Sequence, residues 1–338
     1  MTPGTHWSPD WIREGTEYVM ALTFSPDGAT LAVAQADGFI RHLEATTGTC
    51  LWEREAHEYG VATLAFSPDG GFLLSGGQDG LIRQWSVESG HQTAEYIALG
   101  HWAEHLVWSP DGQCWAVSAG RQIQAFRADG QRLWLGPEQA STVTGLAWLE
   151  DSQHLLTTCY GGIRLFRVGG REIILQHEWK ASFIALALSP DCRHVAGGCQ
   201  DASMIVCDLL TKERLIMSGY AGKVANLAWD DHSRYLASSG NNEIIVWDFA
   251  DDGPSGSTPL TLDRHVDRLS DLAFRPGTSQ LASAGQDGLL ILWQIADARI
   301  IRFHSTPQPL SRLAWHPRGQ ALAIGTADGE VRLLRNQA

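Results

Sequence analysis

A short Pro/Asp/Gly turn returns along this chain at an almost constant interval, and no other feature limits the fold as tightly. Ser25–Gly28, Ser67–Gly70 and Ser109–Gly112 each read Ser-Pro-Asp-Gly, and Ser189–Cys192 reads Ser-Pro-Asp-Cys. Weaker forms start at Leu149, Asp230, Arg275 and His316. Their second residues fall at 26, 68, 110, 150, 190, 231, 276 and 317, in steps of 42, 42, 40, 40, 41, 45 and 41. A self-similar period of this size marks one supersecondary unit repeated against its neighbours. The 338 residues are therefore eight copies of a single plan, and the usual length prior of two domains does not apply.

Each copy has the same internal order. A run such as Val61–Phe66 (VATLAF) or Val224–Trp229 (VANLAW) carries apolar residues at every second or third position, as a strand with a buried face does. The Pro/Asp/Gly turn follows, then a second run such as FLLSGG or YLASSG. An Asp-Gly pair or its substitute marks a hairpin into a third run, LIRQWSV, IIVWDF or LLILWQI. A polar turn leads to a more polar fourth run: HQTAEYIAL, REIILQH, ARIIRFH. The expectation is four antiparallel strands per copy, all-β, with no helical periodicity. Copy six is lengthened by Asp251–Pro259 (DDGPSGSTP), whose Gly, Ser and Pro mark a solvated loop between the third and fourth strands.

Composition narrows function. The formal net charge of −13 repels phosphate backbones, and no run of five Lys or Arg offsets it, so nucleic acid is disfavoured as a partner. The six cysteines have irregular spacing without Cys-x-x-Cys, which fits buried thiols in a reducing compartment. The first residues, MTPGTHWSPDWIREG, lack the basic and apolar regions of a secretory leader. No stretch approaches the ~20 apolar residues of a membrane span. Phosphate-loop, His-Glu-x-x-His and Gly-x-Ser-x-Gly patterns are absent. Cys159, His177, His194, Cys199 and Cys207 lie in neighbouring copies, but without local metal-ligand spacing; neither a metal site nor a cofactor is expected. Of the 14 Trp, seven (Trp85, Trp108, Trp148, Trp229, Trp247, Trp293 and Trp315) recur at matching strand positions, which assigns them to packing. Trp7, Trp11, Trp102 and Trp179 fall outside that pattern.

His57, Ser75, Asp79 and Trp85, and again His265, Ser283, Asp287 and Trp293, stand at equal spacings 208 residues apart. With these residues the chain resembles the WD-repeat β-propellers, whose repeat of 40–45 residues has His near its start and Trp-Asp near its end. The resemblance covers almost the whole chain and departs in detail. Copy five has Asp201 but Cys207 in the Trp place; copy six keeps Trp247-Asp248 but has Asn241-Asn242 at the turn and no His; copies one and eight keep only Asp37 and Asp328. The family implies that each Ser hydroxyl bonds His and Trp and that the tetrads are structural. That reading is preferred over a Ser/His/Asp catalytic triad because the set recurs. The implied fold is a single closed propeller over 1–338 with eight blades, seven being the alternative. The last copy ends at its third strand, so the segment His6–Gly15 is expected to supply its fourth, with residues near His6–Ile12 on Val331–Arg335.

In such propellers one face carries the loops before the first strands and between the second and third strands. The resemblance implies that this face binds peptides or proteins. Val19, Val61, Ala103, Val143, Phe183, Val224, Leu269 and Leu310 mark the first strands, and the residues flanking them point to that face. Hot-spot residue types among the flanks select Tyr18, Met20, Trp102, Ile184, Lys223 and Arg268 as the candidate partner-binding set. The expected function is a non-catalytic, cytoplasmic protein-interaction scaffold, acting as a monomer or within a hetero-complex. The alternative is a propeller that binds a small molecule or metal in its central channel, possibly as an enzyme.

Overall fold

The computed structural model describes residues 5–335 apart from 100, 171 and 251–252. The described residues form eight sheets, here called blades, each with four antiparallel strands a to d paired in that order; strand d of blade eight comes from the N-terminal segment, and blade seven carries a fifth, parallel strand. This is the eight-bladed propeller architecture, which disposes of the seven-blade alternative. The chain divides into two compact units. Glu17–Phe183 holds blades one to four; residues 5–16 together with 184–335 hold blades five to eight, the first strand of blade five beginning at Phe183.

The recurring turn is built the same way even where its sequence decays. In the second copy Ser67 Oγ–H donates to Asp69 (2.5 Å), Asp69 accepts from the Gly71 amide (3.0 Å), and the Phe72 amide donates back to Ser67 Oγ (3.0 Å). The fourth turn position is left-handed, at φ +74° for Gly70, and Gly fills it at no steric cost. Ser152, Cys192 and Ser233 hold the same place at φ +55° to +56°, so the geometry outlasts the glycine.

The b strands are the most enclosed elements. In Thr30–Gln35, Phe72–Gly77 and five others every residue after the first is buried. Strand d, at the opposite edge, is mostly exposed, as in Gln92–Ile97. Within each unit the a strands of successive blades pack together, Val19–Phe24 on Val61–Phe66 and Leu269–Phe274 on Leu310–Trp315. The Trp ending four of these strands ties each blade to the one before it. Trp108 donates its indole N–H to Ala65 O (3.3 Å), Trp148 to Val107 O (3.2 Å), Trp229 to Ala187 O (3.3 Å) and Trp315 to Ala273 O (3.1 Å). These bonds span 41 to 43 residues, the repeat period itself.

The N-terminal segment closes the last blade as expected, but over fewer residues. Only Trp11–Arg13 pairs with the third strand of blade eight, Trp11 opposite Leu333 and Arg13 opposite Val331. Thr5–His6 lies instead on blade seven, parallel to Arg302–Phe303, and makes that sheet five-stranded. Between them Trp7 is 2% exposed, with its indole N–H on Arg335 O (2.7 Å). Burying that ring draws the chain towards blade seven, and Pro9, which has no N–H to donate, helps break the strand before Trp11.

The lengthening of copy six falls where expected, between strand c, Glu243–Asp248, and strand d, Leu260–Leu262. Asp251 and Asp252 lie outside the described residues. The d strand after it has only three residues.

Candidate functional site

The two tetrads contain the residue types of a catalytic triad. In blade two the Trp85 indole N–H donates to Ser75 Oγ (2.9 Å), Ser75 meets His57 Nε2 (2.8 Å), and His57 Nδ1 meets Asp79 (2.9 Å). Ser75 Oγ takes the indole proton, so its own O–H donates to Nε2 and the Nδ1–H donates to the carboxylate. A neutral imidazole satisfies this chain, and burial holds the His57 pKa below its ordinary value. Burial pushes Asp79 up, but bonds from Arg83 and His57 outweigh it and leave its pKa lowered. Blade seven repeats the set with Trp293, Ser283, His265 and Asp287 at 2.9 to 3.2 Å. Both serines are fully buried. Each hydroxyl is enclosed between indole and imidazole, with no open side for a substrate to approach. A side chain at Gly77 would place its Cβ 2.1 Å from the His57 ring, so glycine there is required by the network.

Blade six has an equivalent that sequence reading missed. Tyr220 stands 18 residues before Ser238, the His-to-Ser offset of both tetrads. Its hydroxyl accepts from the Trp247 indole (3.1 Å) and donates to Ser238 Oγ (2.8 Å), which donates to Ile245 O (3.0 Å). Asn242, four residues after Ser238, bonds His265 O (3.0 Å). The offset was the available signal; the change of residue type concealed it.

The loop ends of the blades carry the other candidates. Strands a and c run in the same direction, so the d–a and b–c loops share one end of each blade, opposite the Pro/Asp/Gly turns. In the unit Glu17–Phe183, Val19, Val61, Ala103 and Val143 are buried, and Tyr18 and Trp102, just before the first and third of these positions, turn outward, while Gly60 before the second is buried. Tyr18 is 36% exposed, Trp102 55%, and Met20 half-buried. Tyr18 and Met20 flank one position of blade one, whereas Trp102 lies two blades on. Tyr59, 63% exposed, stands at the loop end of the blade between, and Tyr160, 51% exposed, at that of blade four. Each of the four blades thus presents one exposed aromatic ring at its loop end. Neither Tyr59 nor Tyr160 was anticipated: Tyr59 sits one residue before the flank, and Tyr160 directly follows strand b, where the other copies have Ala, Gln, Gly or Asn. Acidic groups accompany the rings. Glu17 and Glu58 are exposed beside Tyr18 and Tyr59. Glu104 is half-buried, burial raises its pKa, and its Oε2 has no hydrogen-bond partner among the described residues.

In the other unit Ile184 is half-buried, and Lys223 and Arg268 are exposed at the starts of blades six and seven. Neither cation is in an ion pair among the described residues. Val266, 87% exposed, stands two residues before Arg268 and was not anticipated.

All six cysteines are free, and Cys159, Cys199 and Cys207 are buried. Burial pushes the Cys199 and Cys207 thiols up to about 11, which keeps them protonated and unreactive at neutral pH. Among the described residues no group of three or more His, Cys, Asp or Glu side chains is placed to hold a metal ion, and no helix is long and apolar enough to cross a membrane.

Comparison with known proteins bears on this geometry. The family "WD domain, G-beta repeat" matches residues 8–42, 48–86, 212–248 and 256–294. Protein transport protein sec13 of Emericella nidulans is 29% identical over 111 residues, 30% of this chain and 35% of that protein. Echinoderm microtubule-associated protein-like 2 of Rattus norvegicus is 36% identical over 75 residues, 22% of this chain and 12% of that protein. The matched segments thus span about a third or less of those relatives' own lengths. Among solved structures, Sqt1 from Chaetomium thermophilum superposes with a TM-score of 0.87 at 17% identity, covering 98% of this chain and 100% of that one. The same protein bound to the N-terminus of ribosomal protein L10 gives 0.86 at 17% identity over 98% and 100%. The computationally designed Ika8 protein gives 0.83 at 21% identity over 98% and 100%. At these identities the structural likeness speaks to the fold.

Proposed function

This chain is a WD-repeat β-propeller, and from that premise we propose that it is a non-catalytic, cytoplasmic protein-interaction scaffold, a single domain over 1–338 that binds a peptide or protein at the loop ends of its blades. The observation that carries the reading is the series of four exposed rings, Tyr18, Tyr59, Trp102 and Tyr160, one at the loop end of each of four successive blades. Rigid aromatic side chains give large contact area at low entropic cost and dominate binding hot spots. No packing demand of the blades accounts for their exposure. The Oε2 of Glu104, which with Trp102 flanks Ala103, has no hydrogen-bond donor among the described residues and is open to one from a partner. The solved complex of a structurally similar propeller with a protein's N-terminal segment supports a peptide-like partner.

The contact set on this reading is Tyr18, Met20, Trp102, Ile184, Lys223 and Arg268, with Tyr59 and Tyr160 added. The test starts with affinity capture from the source organism, followed by binding measurements on the purified partner. Trp102→Ala should weaken binding by about 2 kcal/mol or more, chiefly through a faster off-rate. Arg268→Glu should weaken it more at low than at high salt. If both variants are folded and bind as the parent does, the partner does not use the loop ends.

A further inference from the structure

Outer-strand tryptophans join blades one and three to the blades that follow them, while the same place holds Ala94, Leu175, Leu215 and Leu260 in blades two, four, five and six; of these, blade five is the one with a hollow beside it among the described residues. In blade one Trp52 lies opposite His42, the fourth residue of strand c, and donates its indole N–H to Val87 O of blade two (2.9 Å). In blade three Trp134 lies opposite Ala125 and donates to Gly170 O of blade four (2.6 Å). In blade seven that position, opposite Leu292, is Arg302. There the indole arrives from elsewhere: Thr5–His6 adds a parallel strand to the edge, and Trp7 donates to Arg335 O of blade eight beneath the Arg302 guanidinium. Three blades thus fill one slot, two from their own outer strand and one from an added strand.

In blade five the position opposite Val206 is Leu215, which has no N–H to offer and less bulk than an indole. A hollow of about 360 Å³ remains there, with Leu215 and Val206 of blade five and Phe249 and Pro254 of blade six as its apolar wall and Arg193, Asp208 and Glu213 as its charged rim. A second of about 210 Å³ adjoins it along Leu215–Met217. Together they have the scale of a small-ligand site. Strand d of blade five, Arg214–Ser218, is the last of its sheet and is joined by no fifth strand among the described residues, and its Ile216 is 55% exposed. Such an edge is a template for strand addition. His194 stands in the wall of the hollow, and its Nδ1 has no hydrogen-bond partner among the described residues.

We propose that the hollow between blades five and six is an open indole slot, which receives a tryptophan from an extended segment of a partner protein added as a fifth strand along Arg214–Ser218. The register follows from blade seven, where Thr5 lies opposite Arg302, His6 opposite Phe303, and the Trp7 amide donates to Phe303 O (2.7 Å). By the same pairing the two residues before the incoming tryptophan lie opposite Leu215 and Ile216, and its amide donates to Ile216 O. Arg335, the carbonyl that receives Trp7, lies opposite the first residue of its b strand, Ala321; Asp248 holds that place in blade six, opposite Tyr235. The indole N–H therefore goes to the carbonyl of Asp248 or of Phe249 next to it. This site is separate from the loop ends and does not depend on them.

The probe is a blocked, fluorescein-labelled peptide, Thr-Pro-Gly-Thr-His-Trp-Ser-Pro, which copies residues 2–9 of this chain. It is titrated with the full-length protein and followed by fluorescence anisotropy. Saturable binding is expected, at least tenfold weaker when alanine replaces the peptide's tryptophan. Leu215→Trp, which fills the slot as blades one and three do, should also weaken binding at least tenfold, with thermal melting no lower than the parent's. Ser255→Trp, at an exposed position on the rim, obstructs the slot without touching the core and decides the matter should Leu215→Trp fail to fold. Binding that is absent up to millimolar protein, insensitive to the peptide's tryptophan, or unchanged in the folded variants overturns the proposal.

Discussion

Replacing Tyr220 by phenylalanine tests the blade-six network through a single oxygen. That hydroxyl is the acceptor for the Trp247 indole N–H at 3.1 Å and the donor to Ser238 at 2.8 Å. Ser238 keeps its bond to Ile245 O, so the main loss is one indole N–H left without an acceptor in a partly buried place. An orphaned donor of this kind costs about 1–3 kcal/mol. Unfolding entropy is about 2.1 cal/mol/K per residue, hence about 0.7 kcal/mol/K for 338 residues. A loss of 2 kcal/mol should then lower Tm by about 3 °C if the chain melts as one domain, and by about 6 °C if only the half containing blade six melts. Scanning calorimetry reads both the shift and the number of transitions, so the same experiment tests the single-domain proposal. Trp247→Phe removes the other partner, and the double variant should recover about 0.5 kcal/mol or more relative to the sum of the singles. Tyr220→His, which puts the tetrad residue at the tetrad offset, should cost less than Tyr220→Phe. A Tyr220→Phe variant as stable as the parent, or strictly additive singles, would refute the assignment of Tyr220 to the histidine's role.

Asp79→Ala and Asp287→Ala should each destabilise by about 1–3 kcal/mol in urea titrations, and Asp79→Asn by less, because a carboxamide oxygen still accepts from His57; unchanged midpoints would make the tetrads dispensable. Trp7→Ala should cost about 3–5 kcal/mol, since it empties a buried ring site as well as breaking the bond to Arg335 O; an unaltered melting curve would show that the edge of blade seven is not held by this segment. Burial lowers the His42 pKa from 6.5 to about 4, and neither ring nitrogen has a hydrogen-bond partner among the described residues. The unfolded histidine then takes a proton that the folded one refuses. Its effect on stability is absent above about pH 6.5 and grows on acidification towards pH 4, by at most about 1.4 kcal/mol per pH unit. His42→Phe should flatten the pH dependence of the urea midpoint in that window, and an unchanged slope would count against a neutral buried imidazole.

The framework was legible wherever backbone geometry dictates residue type. A left-handed fourth turn position favours Gly, and Asp two residues after Ser closes the turn, so Ser-Pro-Asp-Gly could be read through decayed copies by spacing alone. The repeat step is also the step of the Trp108, Trp148, Trp229 and Trp315 bonds between blades, so period and packing report the same thing. Residue type fails as a guide where two chemistries meet one need. A tyrosine hydroxyl satisfies Trp247 as a serine satisfies Trp85, and only the offset shows the equivalence. The split of the N-terminal segment between blades seven and eight was hidden for another reason: Trp7 matches no position in its own copy, because it completes a blade to which it is not consecutive.

The candidate binding residues follow from a contrast between adjacent positions. Val19, Val61, Ala103 and Val143 are apolar and buried in four consecutive blades, while the residues just before them are Tyr18, Gly60, Trp102 and Thr142. Packing fixes the first series and, of the second, only Gly60, which is buried at φ +106°, so the large rings of Tyr18 and Trp102 are not required by the fold. That argument finds Tyr18 and Trp102 from sequence because they occupy a register position. It does not find Tyr59, which lies one residue outside that register, or Tyr160, which lies in the b–c turn where the other copies carry small or amide side chains. Rings that reach the same ends of successive blades by unrelated routes are harder to explain as by-products of the repeat than rings at one repeated position. Their convergence is therefore better evidence for a partner than any one of them taken alone.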